Sequence, residues 1–147
     1  MGPDAGGRTI RWKLHLAAPP ERVYLTLATP EGRARFWALT AEERDGMIDF
    51  RFRNGQRIES RILERAPSRR FVTTYFGGSR VEFDLAPDGR GGTDLSLTES
   101  AVPEAEFLDN LPGWVSVLLS LKAAVDHGVD LRNPDPSRQW DQGYVDV

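Results

Sequence analysis

Residues Arg8 to Leu16 alternate, with Ile10, Trp12, Leu14 and Leu16 on one parity and Arg11, Lys13 and His15 on the other. A period of two predicts a half-buried strand whose apolar members, Trp12 included, turn inward. Pro19-Pro20 ends it. Behind those prolines Val23, Tyr24 and Leu27 recur at helical spacing, and Thr29-Pro30-Glu31 opens a second short helix that carries Ala34, Phe36 and Trp37. Threonine suits the cap and proline the first turn. From Leu39 to Ser100 the period returns to two. Ile48, Phe50 and Phe52 alternate with Asp49, Arg51 and Arg53, Asn54-Gly55 turns the chain, and Ile58, Ser60 and Ile62 alternate with Arg57, Glu59 and Arg61. This is a β-hairpin pattern. Pairing Phe52 with Ile58 sets Arg51 against Glu59 and Asp49 against Arg61; pairing Phe52 with Gln56 places Gly55 at a bulge but opposes Arg51 to Arg57. Charge complementarity favours the first register. Further strands are expected over Arg70 to Phe76, Arg80 to Leu85 and Thr93 to Thr98, separated by Gly77-Gly78 and by Pro87-Asp88-Gly89-Arg90-Gly91-Gly92.

After Pro103 the pattern is helical again. From Pro112 onward, Trp114, Val117, Leu118, Leu121 and Val125 fall at i, i+3, i+4, i+7 and i+11, one continuous apolar stripe. His127-Gly128 closes the helix, the histidine favoured by the helix dipole and the glycine by a left-handed cap. One long stripe and one run of antiparallel strands predict an α+β fold in which a curved sheet grips a C-terminal helix. Residues 1–8 are expected to be flexible, 9–130 to form the domain and 131–147 to be an extension. Trp140 and Tyr144 make that extension either a loose tail or a docked strap that covers a cavity or reaches a second subunit.

The chain has 147 residues, 39% hydrophobic and 28% charged, which fits one globular domain. Lysine plus arginine number 19 against 22 acidic residues, a net charge of −3 without a basic block, so nucleic acid is not an expected partner. No cysteine is present, which excludes disulfides and thiolate chemistry. No apolar stretch approaches the ~20 residues of a membrane span. The first residues lack the features of a signal peptide, and a cytoplasmic location is expected.

The motifs Ala18-Pro19-Pro20-Glu21-Arg22-Val23-Tyr24, Thr29-Pro30-Glu31 through Phe36-Trp37, Arg70-Phe71-Val72-Thr73-Thr74-Tyr75, Gly92-Thr93-Asp94-Leu95-Ser96-Leu97-Thr98 and Gly113-Trp114 occur in that order. In them the chain resembles the START-like (SRPBCC, Bet v 1-like) superfamily, and within it the branch named after the activator of Hsp90 ATPase. The resemblance runs from Thr9 to Val129. It implies a helix-grip fold with a deep apolar cavity between sheet and long helix, used for lipids, polyketides or other hydrophobic molecules. The candidate ligand-binding residues are Trp37, Phe50, Phe52, Ser60, Tyr75, Phe83, Trp114, Leu118 and Leu121. Alternation alone assigns Phe50, Phe52 and Phe83 inward and leaves open which face of Arg70 to Phe76 is buried. The resemblance points Tyr75 at the cavity, where its hydroxyl can orient a ligand oxygen.

Catalytic constellations are sparse. Alternation sends His15 outward and His127 caps a helix, which argues against a Ser-His-Asp triad and against a metal centre. No cofactor is implied. Gly89-Arg90-Gly91-Gly92 reads as a hairpin turn, not a phosphate loop. Glu59, Glu82 and Asp84 fall on the polar parity of their strands, so no carboxylate is assigned to the interior as general acid or base. The leading expectation is binding of a small hydrophobic ligand. A cyclase- or dehydratase-type enzyme with Tyr75 as weak catalytic candidate comes second, and a chaperone partner third. The co-chaperone's additional N-terminal domain has no expected counterpart, because Thr9 already begins the resembled region. A homodimer pairing through an edge strand is left open.

Overall fold

In the computed structural model, which describes residues 7–147, the chain runs through β1 (Arg8–Leu16), α1 (Pro20–Ala28), α2 (Pro30–Ala34), β2 (Thr40–Arg44), β3 (Met47–Arg51), β4 (Arg57–Ala66), β5 (Arg70–Thr74), β6 (Arg80–Pro87), β7 (Thr93–Val102) and α3 (Glu104–His127). The flexible segment expected over residues 1–8 lies, for its first six residues, outside the described ones. All strand pairs are antiparallel, in the order β1-β7-β6-β5-β4-β3-β2. The first half of β4 pairs with β3 and its second half with β5, with a register shift between Ile62 and Glu64. There the Arg61 amide leaves the ladder and donates to Thr74 Oγ1 at 2.9 Å. A bulge of this kind bends a strand, and it helps curve the sheet around α3.

The short helices form where their caps allow. Thr29 Oγ1 accepts the Gly32 amide at 3.1 Å, and Pro20 and Pro30 occupy first-turn positions that need no amide donor. The long helix ends as its sequence predicts: Gly128 adopts φ 66° and its amide reaches Ala124 O at 3.1 Å. Asp126 accepts the amides of Ala17 and Ala18 at 2.9 and 3.0 Å, and Lys122 Nζ donates to His15 O at 2.6 Å. These bonds fix the C-terminal end of α3 to the end of β1.

Leu16, Val23, Leu27, Phe36, Phe50, Phe71, Val81, Phe83, Leu95, Leu97, Leu118 and Leu121 are buried in one core. Each such side chain stabilises the fold by roughly 1.5–3 kcal/mol through area removed from water. On β5 the inward face is that of Phe71, which lies opposite Phe83 and packs edge-on against Tyr24 with ring centres 6.3 Å apart.

Two local expectations are corrected. Trp12 does not turn into the interior: it is 38% exposed and its indole N–H donates to Leu111 O on α3 at 3.0 Å. Its strand is an edge strand whose middle looks past the helix, so the ring folds over the flank of α3. The hairpin takes the other register, with Phe50 opposite Ile58, Arg51 opposite Arg57, and the Phe52 amide bonded to Gln56 O at 2.9 Å. Like-charge opposition is relieved by Asp49, which accepts from Arg57 Nε at 2.9 Å and Arg51 Nε at 3.2 Å. Gly55, at φ 91°, supplies the left-handed residue that this loop requires.

The extension after α3 is docked. Arg132 is buried and donates to Ala34 O and Ala38 O, both at 2.9 Å, while Asp130 holds its Nε at 2.9 Å. Arg53 Nη1 donates to Asn133 O at 2.7 Å, Gln139 is buried, and Trp140 begins a 3₁₀ turn, Trp140–Gln142. Trp140 is half-buried, whereas Tyr144 stays exposed.

Candidate functional site

A pocket of about 490 Å³, open to solvent on one side, lies between the N-terminal half of α3, the β3–β4 loop, the turn after β5 and the C-terminal extension. That volume suits a small organic molecule. Trp37 forms its floor. This ring is central to the molecule: Phe50, Phe83, Tyr75, Trp114 and Phe36 have ring centres 4.7, 5.4, 5.8, 5.8 and 5.9 Å from it. Phe52 and Phe76, stacked at 5.7 Å, make one wall, and Trp140 faces the pocket from the extension.

Of the residues proposed from sequence, Trp37, Phe52, Tyr75 and Trp114 line this pocket together. Phe50, Ser60, Phe83, Leu118 and Leu121 do not. Phe50 and Phe83 sit behind Trp37 as packing partners, and Leu118 and Leu121 lie farther along α3, within the filled core. Ser60 is wholly buried beside Ile48 with its hydroxyl unpartnered. The aromatics thus fill most of the space between sheet and helix, and the open volume is displaced to one end.

Tyr75 follows the last residue of β5, and its amide bonds Ser79 O at 3.0 Å across the 3₁₀ turn Phe76–Gly78. Its hydroxyl oxygen accepts from Trp37 Nε1 at 3.0 Å. The phenol proton meets no acceptor among the described residues, so the hydroxyl is an oriented donor. Burial pushes its pKa above the ordinary tyrosine range, partly opposed by the Trp37 bond and reinforced by the charge of Glu99.

Glu99 is the polar residue that alternation reasoning missed. It is fully buried directly behind the pocket and accepts from Ser79 Oγ at 2.5 Å, Trp114 Nε1 at 2.8 Å and Asn110 Nδ2 at 3.1 Å. Burial raises its pKa, the Ser79, Trp114 and Asn110 bonds pull the other way, and the nearby charge of Glu106 raises it further. A signal for it was present: Glu99 continues the inward parity of Leu95 and Leu97 in β7. Asn110 and Trp114 form the link between this carboxylate and the pocket, since both bond it and both line the cavity. Elsewhere, His15 pairs with Asp88 at 2.8 Å on the surface, and among the described residues no three histidine, aspartate or glutamate side chains converge to hold a metal. No described helix is long and apolar enough to cross a membrane.

The family model for Activator of Hsp90 ATPase homolog 1-like protein matches residues 17–126. The chain belongs to this family. Solved members of the fold agree with it in architecture. Protein SSP2350 from Staphylococcus saprophyticus is 24% identical, with a TM-score of 0.72 over 85% of this chain and 96% of its own. The Aha1 dimer from Colwellia psychrerythraea is 25% identical, with a TM-score of 0.73 over 82% and 98%. CV1439 from Chromobacterium violaceum is 30% identical, with a TM-score of 0.64 over 81% and 98%. No curated protein matches the chain. The family match ends before the extension, so the pocket wall built by Arg132, Gln139, Trp140 and Asp141 lies outside the shared region.

Proposed function

We propose that this family member binds a small, largely aromatic or apolar molecule in the pocket described above, with Trp37, Phe52, Tyr75 and Trp114 as the contacting residues. The observation that carries this reading is the pocket itself, a cavity of about 490 Å³ walled by aromatic rings and holding a hydroxyl already oriented by Trp37. A concave site with aromatic walls and convergent polar groups is what small-molecule sites have in common. Native mass spectrometry of freshly purified protein, followed by thermal shifts of stripped protein with an aromatic ligand panel, tests it. A retained mass or a raised melting temperature that Phe52→Ala removes is expected. Protein that carries nothing and responds to no panel member refutes the reading.

A second reading, catalysis on a polyketide-like substrate, has one observation in its favour: Tyr75 and Asn110 face the pocket and the Glu99 carboxylate lies just behind. Turnover of a reactive polyketone that survives Tyr75→Phe unchanged removes Tyr75 as proton donor. A chaperone-activating role has only the family's name behind it. We also propose that two copies pair through the outer face of α3, where Leu108, Val115 and Leu119 are exposed at i, i+7 and i+11 beside Trp12. The solved Colwellia relative is a dimer. A monomer mass by light scattering at all concentrations overturns the pairing.

A further inference from the structure

We infer that the pocket selects an organic cation, an arylalkyl amine, over the neutral or anionic molecule of the same shape; this deepens the small-molecule reading above and rests on it. Asn110 is 91% buried by its 9% exposure, and its Nδ2 is held by both carboxylate oxygens of Glu99, at 3.1 and 3.3 Å. These two bonds fix the amide nitrogen toward Glu99. The Asn110 carbonyl oxygen is then left on the pocket side, with no donor among the described residues. A buried polar group of this wall is therefore an unpartnered acceptor, which calls for a ligand N–H.

Charge around the opening points the same way. Glu106 and Asp109, one turn apart on α3, and Asp141 on the extension all line the pocket, and among the described residues none of the three forms an ion pair. Against these three carboxylates the lining sets two cations, of which Arg132 is ion-paired and Arg53 is not. Arg132 is held by Asp130 and two backbone carbonyls, and Arg53 donates to Asn133 O while its charge acts on Asp130. The rings of Phe52, Tyr75, Phe76 and Trp140 are half-buried and offer π faces, which attract a desolvated ammonium. The Asn110 acceptor, the rim carboxylates and the aromatic walls all favour a positive occupant, and the rings accept an aryl group.

Three probes with one ring system and a short arm separate the charge states: tryptamine, tryptophol and indole-3-acetate, each titrated calorimetrically into the stripped full-length protein. Tryptamine is expected to bind about tenfold tighter than tryptophol, with indole-3-acetate weakest, and added salt should shrink the amine's advantage. The double variant Glu106→Gln/Asp109→Asn, both on the helix surface, should cut the tryptamine-to-tryptophol ratio to about threefold or less, with circular dichroism unchanged. Tryptophol binding as tightly as tryptamine overturns the cation inference and leaves the small-molecule reading in place, while a tenfold preference that the double variant leaves undiminished overturns the part given to Glu106 and Asp109. If none of the three binds, the cation inference falls, and the small-molecule reading falls with it only where the wider panel and native mass spectrometry also find nothing.

Discussion

Replacing Glu99 tests the buried network most directly. In Glu99→Ala three donors, Ser79 Oγ, Asn110 Nδ2 and Trp114 Nε1, lose their acceptor inside the protein. An orphaned buried donor costs about 1–3 kcal/mol, so the loss should reach about 3 kcal/mol or more before any cavity term is added. Glu99→Gln behaves differently. Its remaining carbonyl still accepts from Trp114 and Asn110, the Ser79 hydroxyl can rotate to accept from the new amide, and a buried charge disappears. The net change at neutral pH should be within about 1 kcal/mol. The pH dependence carries the sign. Because the folded-state pKa of Glu99 is raised above its unfolded value, the folded form holds the proton more tightly. Its contribution is fully present below the unfolded pKa and is lost as pH rises through the folded one. Guanidinium unfolding followed by tryptophan fluorescence, from about pH 4 to 8, should show wild type losing stability relative to Glu99→Gln as pH rises from about 4.3. A difference that stays flat, or grows with pH, refutes the reasoning, as does a Glu99→Ala variant as stable as wild type.

Three further outcomes follow from the structure. Truncation after Arg132 removes Gln139, Trp140 and the partner of Arg53, so the melting temperature should fall and acrylamide should quench the pocket tryptophans Trp37 and Trp114 more strongly; unaltered quenching argues against a docked strap. Cysteines at positions 51 and 57 face each other across the hairpin and should oxidise to a disulfide in the otherwise cysteine-free chain, whereas a 51/59 pair should not; the opposite result restores the rejected register. Asp88 is held down to about 2 by His15 and by the amides of Arg90 and Gly92. Its contribution is present above the unfolded carboxylate pKa and lost as pH falls toward 2, so Asp88→Asn should flatten acid unfolding in that window; unchanged acid sensitivity counts against it.

Much of the architecture was legible in alternation and caps. The period-two run, the two prolines that start helices, the stripe from Trp114 to Val125 and the glycine at position 128 each follow from local physics and appear as expected. Trp12 shows where that logic stops, because parity gives a face but not whether anything covers it at the sheet's edge. The hairpin shows a second limit: charge pairs read as direct rungs overlook that Asp49 reaches Arg57 diagonally across the hairpin and Arg51 along its own strand. The candidate site was half legible. Trp37, Phe52, Tyr75 and Trp114 were named, but Asn110 and Glu99 meet only because β7 and α3 pack together, and sequence spacing carries no such distance. Phe50 and Phe83 fill the space that the fold resemblance left hollow, since large rings close a gap as readily as they border one.

The extension that follows α3 separates rim from scaffold. It is joined at a glycine cap and anchored by a few side-chain bonds, so its length and composition can change without disturbing any strand of the sheet. Relatives that keep the same floor of rings but end in a different sequence would present a differently shaped doorway. On the binding role proposed above, choice of guest can diverge through the last seventeen or so positions alone, by exchange of a gatepost while the house stands.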